Sequence, residues 1–118
     1  MDQSPLKILV VDDDPEVLTV ACASLEEDGY SVLRALNAPA ALQLLQENPD
    51  VALLFTDIVM PGYIDGFDLA ERAKQLHPGL RVLYTSGYLK DEGVWEGSLL
   101  VKPWRTESLR DAIKDALA

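Results

Sequence analysis

Four short apolar runs in this chain end in residues that can do chemistry. Asp12-Asp13 follow Ile8 to Val11, Asp57 closes Val51 to Thr56, Thr85-Ser86 follow Val82 to Tyr84, and Lys102 follows Leu99 to Val101. Brought to one place, three carboxylates repel one another strongly, so either one stays protonated or a cation neutralises the set. Only oxygen donors are on offer, with no histidine nearby in sequence, and that donor set selects a hard cation, Mg²⁺ or Mn²⁺ in its place. Lys102 and the hydroxyls of Thr85 and Ser86 then add an ammonium and a donor for which the protein offers no obvious anion. A phosphoryl group is the partner that would complete them. Carried on Asp57, it would be held by metal, ammonium and hydroxyl together, the electrostatic stabilisation that phosphoryl transfer needs. A carboxylate is also a competent nucleophile for making an acyl phosphate.

Convergence of these residues depends on the elements that carry them. Short β-branched or aliphatic runs alternate with longer stretches of helical periodicity, the pattern of a parallel sheet covered by helices on both faces. Lys7 to Val11 is the first strand. Asp14 is placed to cap the helix that follows and Pro15 to be its first residue; Val17, Leu18, Ala21, Cys22 and Leu25 form its apolar stripe, and Gly29 ends it. Tyr30 to Ala35 is a second strand, followed by a helix after Asn37 that ends near Asn48-Pro49. Val51 to Phe55 is apolar at every position, as expected for a central strand buried on both sides. A helix with Phe67, Leu69, Ala70, Ala73 and Leu76 closes at His77-Pro78-Gly79; Arg81 to Thr85 and Leu99 to Val101 are strands four and five. Thr106 is the expected cap of a last helix whose stripe is Leu109, Ile113 and Leu117. The fold class is therefore α/β, a doubly wound five-stranded parallel sheet, in which ligands bind outside the carboxyl ends of the strands.

Composition narrows the function. The chain has 118 residues, 48% of them apolar, enough for one domain spanning residues 1–118. Ten Lys and Arg stand against 20 Asp and Glu, a formal charge of −10 that repels phosphate backbones and anionic headgroups, so neither nucleic acid nor a membrane is an expected partner. Cys22 is the only cysteine, which excludes an internal disulfide; its apolar neighbours make it an inert core thiol, and a reducing compartment is the simplest setting. Met1 to Pro5 lacks a basic region followed by an apolar stretch, and no apolar run exceeds five residues. A cytoplasmic protein without signal peptide or membrane span is expected.

Taken together, Ile8-Leu9-Val10-Val11-Asp12-Asp13-Asp14, Phe55-Thr56-Asp57-Ile58-Val59-Met60-Pro61-Gly62, Asp65-Gly66, Val82-Leu83-Tyr84-Thr85-Ser86-Gly87 and Lys102-Pro103-Trp104 resemble the receiver domain of two-component response regulators. The resemblance runs from about Lys7 to the end of the chain and implies the flavodoxin-like strand order 2-1-3-4-5. It implies that Asp57 takes a phosphoryl group from a phosphohistidine on a sensor histidine kinase or a histidine phosphotransfer protein. It further implies that Asp12, Asp13, Asp57 and the main-chain carbonyl of Val59 hold Mg²⁺, that the Ser86 hydroxyl moves toward the phosphoryl oxygens, and that Lys102 pairs with them. A cis Lys102-Pro103 peptide is expected with it.

The sequence departs from the family pattern in three places. The loop from Met60 to Gly66 is one residue longer than the common form, so it should bulge differently beside Asp57. Leu99 stands three before Lys102, where many members carry a Tyr or Phe that swings inward, so an aromatic relay is not expected. Only 15 residues separate Ser86 from Lys102, whereas a full crossover takes about 10 to 12 besides the strands it joins. With Gly93 and Gly97 lowering helix propensity, the helix between strands four and five is expected to be at most about two turns, or irregular.

The plainer readings are local. Asp12 could merely cap the first helix; His77 sits in a helix stop and is a surface residue rather than a phosphodonor; Trp104 packs beside strand five, although it or Trp95 could anchor a partner. Among functions, a phosphorylation-switched receiver with an unidentified output partner leads, catalysing no reaction beyond its own phosphorylation and slow dephosphorylation. The alternatives are a Mg²⁺-dependent phosphohydrolase working through an aspartyl phosphate and a degenerate receiver that only binds proteins. A hydrolase would carry an acid or base two residues after its nucleophile, where this chain has Val59; a degenerate receiver would not keep Asp12, Asp13, Asp57, Ser86 and Lys102 together.

Overall fold

The computed structural model describes residues 5–62, 64–87 and 98–118, with Ser98 by its backbone only. The elements are β1 (Lys7–Val11), α1 (Pro15–Glu27), β2 (Ser31–Ala35), α2 (Ala38–Glu47), β3 (Val51–Asp57), α3 (Gly66–Leu76), β4 (Arg81–Ser86), β5 (Ser98–Val101) and α4 (Thr106–Leu117). The five strands are parallel and ordered β2-β1-β3-β4-β5, the order expected of a flavodoxin-like sheet.

Strand alternation divides the apolar residues between two faces. Leu9, Val11, Leu54, Val82 and Tyr84 face α2 and α3, where Ala41, Leu45, Leu69, Ala70 and Ala73 complete one cluster. Ile8, Val10, Phe55 and Leu83 face α1 and α4, packing on Leu18, Cys22, Leu25, Leu109 and Ile113. Both faces of β1 and β3 are thus covered, which is why Ile8 to Val11 and Val51 to Phe55 are apolar without a break.

Helix starts follow their capping chemistry. The Asp14 carboxylate accepts from Glu16 N at 2.9 Å with Pro15 at the first position of α1; Asn37 accepts from Ala40 N at 2.8 Å and Asp65 from Asp68 N at 2.8 Å. Gly29 follows α1 at φ +91°, a left-handed conformation that glycine adopts without a Cβ clash. One expectation is corrected: Thr106 is the first residue inside α4, and Arg105 occupies the cap position with no side-chain cap bond. Thr106 has already turned helical, so its hydroxyl cannot serve from the extended cap conformation.

The expectations of a short or irregular crossover helix and of a partner-anchoring Trp95 fall on residues 88–97, outside the described residues, as does Tyr63 in the lengthened loop.

Candidate phosphoacceptor site

The carboxyl ends of β1, β3, β4 and β5 meet along one sheet edge. Carboxylate oxygens of Asp12, Asp13 and Asp57 all lie within 4.8 Å of one another. Asp12 and Asp57 are buried and Asp13 is exposed, so the cluster has a floor inside the protein and an open outer side. From β5, Lys102 reaches across β4 to both buried acids: its Nζ lies 2.7 Å from Asp12 Oδ2 and 3.2 Å from Asp57 Oδ2.

Each member is held by its own local structure. Asp12 N donates to Ala35 O at 3.2 Å, extending the β1–β2 pairing, and Asp12 Oδ1 accepts from Asp14 N at 2.9 Å while Oδ2 takes Lys102. Asp12 is not the cap of α1, which is Asp14; it holds the amide of that cap residue with one oxygen and Lys102 with the other. Beside Asp57, the buried Thr56 hydroxyl donates to the Asp57 carbonyl at 2.9 Å, and Ile58 N donates to Thr85 O at 3.0 Å. The Lys102 N–H donates to Ser86 O at 2.9 Å and Lys102-Pro103 is cis.

Electrostatics follow from burial and neighbours. Burial pushes the Asp57 carboxyl above its ordinary range; Lys102 pulls it back, and the charges of Asp12 and Asp13 push it the same way as burial. For Lys102, burial acts to lower the ammonium, but its hydrogen bond and charge interaction with Asp12, then those with Asp57, outweigh that and hold it above its ordinary value. A like-charged cluster in which one ammonium serves two buried carboxylates is under-neutralised, and its all-oxygen donor set fits a hard divalent cation.

Of the residues singled out from sequence, Asp12, Asp13, Asp57 and Lys102 are brought together. Ser86 is buried at the end of β4, on the strand side of Tyr84 rather than that of Thr85. Val59 lies in the loop after β3, the residue 65% exposed. His77 is partly buried, not a free surface residue: its Nε2 lies 2.7 Å from Leu45 O, which can only accept, so that nitrogen is the donor. Trp104 packs on Phe55, ring centroids 6.3 Å apart. It also lines an open groove of about 540 Å³ with Glu16, Val17, Val20, Lys102 and Pro103.

Two supporting residues had weaker signals. Gly66 begins α3 so close to β3 that a Cβ there would lie 2.2 Å from Asp57 O and 2.7 Å from Ile58 Cα, and its N–H donates to Ile58 O at 2.7 Å. A glycine directly after the capping Asp65 was the sequence hint. Thr85 is buried and its hydroxyl has no partner among the described residues, which its residue type alone could not reveal.

The family model for the response regulator receiver domain matches residues 8–114. The chain belongs to the response regulator receiver domain family. It is 32% identical to the response regulator receiver protein CpdR of Brucella abortus, over 94% of this chain and 96% of that one. It is 30% identical to the sporulation initiation phosphotransferase F of Bacillus subtilis, covering 94% and 93% of the two chains. The crystal structure of the receiver domain of the hybrid histidine kinase CckA superposes with a TM-score of 0.84 at 34% identity, covering 95% of this receiver and 99% of that one. This receiver thus has the fold and the family membership of two-component signalling modules.

Proposed function

We propose that Asp57 is the phosphoacceptor of this receiver, taking a phosphoryl group from a phosphohistidine on a sensor histidine kinase or a histidine phosphotransfer protein and thereby switching the binding of an output partner. The observation that carries this reading is the Lys102 ammonium bridging Asp12 and Asp57 at 2.7 and 3.2 Å, beside a carboxylate trio within 4.8 Å. Asp12, Asp13 and Asp57, with the Val59 carbonyl, would hold Mg²⁺, or Mn²⁺ in its place, which when bound supplies charge neutralisation for the trio and for the incoming phosphoryl oxygens.

The remaining work falls to the chain itself. An ionised Asp57 oxygen attacks phosphorus in line as the P–N bond to the donor imidazole breaks, giving an acyl phosphate on Asp57 and returning the bonding pair to the imidazole nitrogen. Lys102, already 3.2 Å from Asp57, pairs with a phosphoryl oxygen, and the Ser86 hydroxyl donates to another from the end of β4. Val59 offers no acid or base to orient water, so hydrolysis of the acyl phosphate is slow and the module is a switch rather than a dedicated phosphohydrolase.

The relatives support the choice of partner: one is the receiver of a hybrid histidine kinase and another is named a phosphotransferase. We place the whole of residues 1–118 in one receiver unit working in the cytoplasm, without nucleic acid or membrane as direct partners. Among the described residues no helix is long and apolar enough to cross a membrane. The test is incubation with acetyl phosphate, with and without Mg²⁺, followed by intact mass for wild type and Asp57→Asn. A Mg²⁺-dependent gain of one phosphoryl group, lost in the variant, is expected; rapid multiple turnover would favour the hydrolase, and no adduct the degenerate module.

A further inference from the structure

Thr85 presents a buried hydroxyl that bonds to none of the described residues. The residue is 2% exposed and its Oγ1 has no hydrogen-bond partner among the described residues, a costly arrangement unless another state of the protein satisfies it. Its location says which state. Thr85 and Asp57 are register partners across β4 and β3. By strand alternation both continue the face of Leu83 and Phe55, the face on which α1 and α4 pack. Lys102 follows β5, the neighbour of β4 on its other side, so the lysine side chain passes over the strand that carries Thr85 on its way to Asp57 and Asp12.

Lys102 has three protons to place and gives two of them to carboxylates, at 2.7 and 3.2 Å. A cation held by the same carboxylates competes for their oxygens and repels the ammonium, and a third proton of Lys102 still lacks an acceptor among the described residues on its own side of the site. We propose that Thr85 is a positioning residue for Lys102, its hydroxyl accepting the ammonium once Asp12 and Asp57 engage a divalent cation. This inference rests on the receiver reading above and assigns a role distinct from that of Ser86, which lies on the other strand side.

The test uses Mg²⁺ alone as the probe, titrated by calorimetry into the full chain, with urea unfolding in the absence of Mg²⁺ as a second readout. Thr85→Val keeps the shape and removes the hydroxyl; Thr85→Ser keeps the hydroxyl. Thr85→Val is expected to bind Mg²⁺ about tenfold more weakly, the scale of one hydrogen bond to a charged group, while its metal-free unfolding midpoint is unchanged or raised. Thr85→Ser should bind within about twofold of wild type, since it retains that bond. In a Lys102→Met background the Thr85→Val effect should vanish, since the residue acts through the ammonium. The proposal is overturned if Thr85→Val binds Mg²⁺ like wild type, if the loss persists without Lys102, or if weaker binding is accompanied by a matching loss of metal-free stability. Failure of the wild type itself to bind Mg²⁺ would overturn the receiver reading along with it.

Discussion

Replacing Gly66 by Ala should damage both the fold and the phosphoacceptor, because the first turn of α3 rests directly on the end of β3. The added Cβ would lie 2.2 Å from Asp57 O, where ordinary contact begins at 3.4 Å, and 3.0 Å from Asp57 C. All three of its close neighbours are backbone atoms, so no side chain can rotate away, and α3 must retreat by about an ångström. That retreat breaks the 2.7 Å hydrogen bond from Gly66 N to Ile58 O. Overpacking of about 1–3 kcal/mol and a lost hydrogen bond of about 1 kcal/mol give a destabilisation of about 2–4 kcal/mol. A domain of this size has roughly 6–15 kcal/mol in hand, so the variant should fold but be visibly weakened. With a urea slope of about 2 kcal/mol per molar, its midpoint should fall by about 1–2 M. Gly79→Ala is the control: nothing lies within 4 Å of its Cβ position and its φ is not positive, so its midpoint should move by no more than about 0.5 kcal/mol in equivalent stability. Equal urea midpoints for the two variants would refute the close-approach argument.

Lys102→Met should leave two buried carboxylates, with side chains 3% and 10% exposed, without their ammonium. A loss of about 3 kcal/mol in metal-free urea unfolding is expected, partly recovered by added Mg²⁺, and a midpoint at the wild-type value would contradict the pairing. Arg105→Ser should give α4 the cap it lacks and raise stability by about 0.5–1 kcal/mol in thermal unfolding; no gain would mean the helix start is satisfied in another way. Burial pushes the Cys22 thiol up, with Glu26 adding to the effect and Arg34 opposing it. Its folded pKa thus exceeds its unfolded one, so the stability it contributes is complete below the ordinary thiol range and falls away as pH rises through the raised value. At neutral pH a thiol reagent should label Cys22 only as fast as the chain unfolds; immediate stoichiometric labelling would place the thiol at the surface.

Much of this was legible in the sequence because local signals agreed. The unbroken apolar runs in β1 and β3, the cap at Asp14, the helix start after Asn37, and acids directly after strands all pointed to one sheet edge, and that edge holds Asp12, Asp13, Asp57 and Lys102 close together. What escaped the sequence depends on distances between elements remote in the chain. Thr106 has the residue type of a cap but sits one position too late, because the chain turns helical at Thr106 itself. His77 looked like a surface helix stop, yet the packing of α3 beside α2 carries its ring to Leu45 O. The orphan hydroxyl of Thr85 is visible only once β3, β4 and β5 are side by side.

The central claim is that this constellation makes Asp57, and no other side chain, the acceptor. Borohydride reduces an acyl phosphate to the alcohol, so trapping the phosphorylated protein and sequencing its peptides by mass spectrometry reads the modified residue directly. Homoserine is expected at position 57 alone, and only in samples phosphorylated with Mg²⁺ present. Reduction at residue 12 or 13, a stable phosphate on Ser86, or a phosphoryl group on His77 would contradict it.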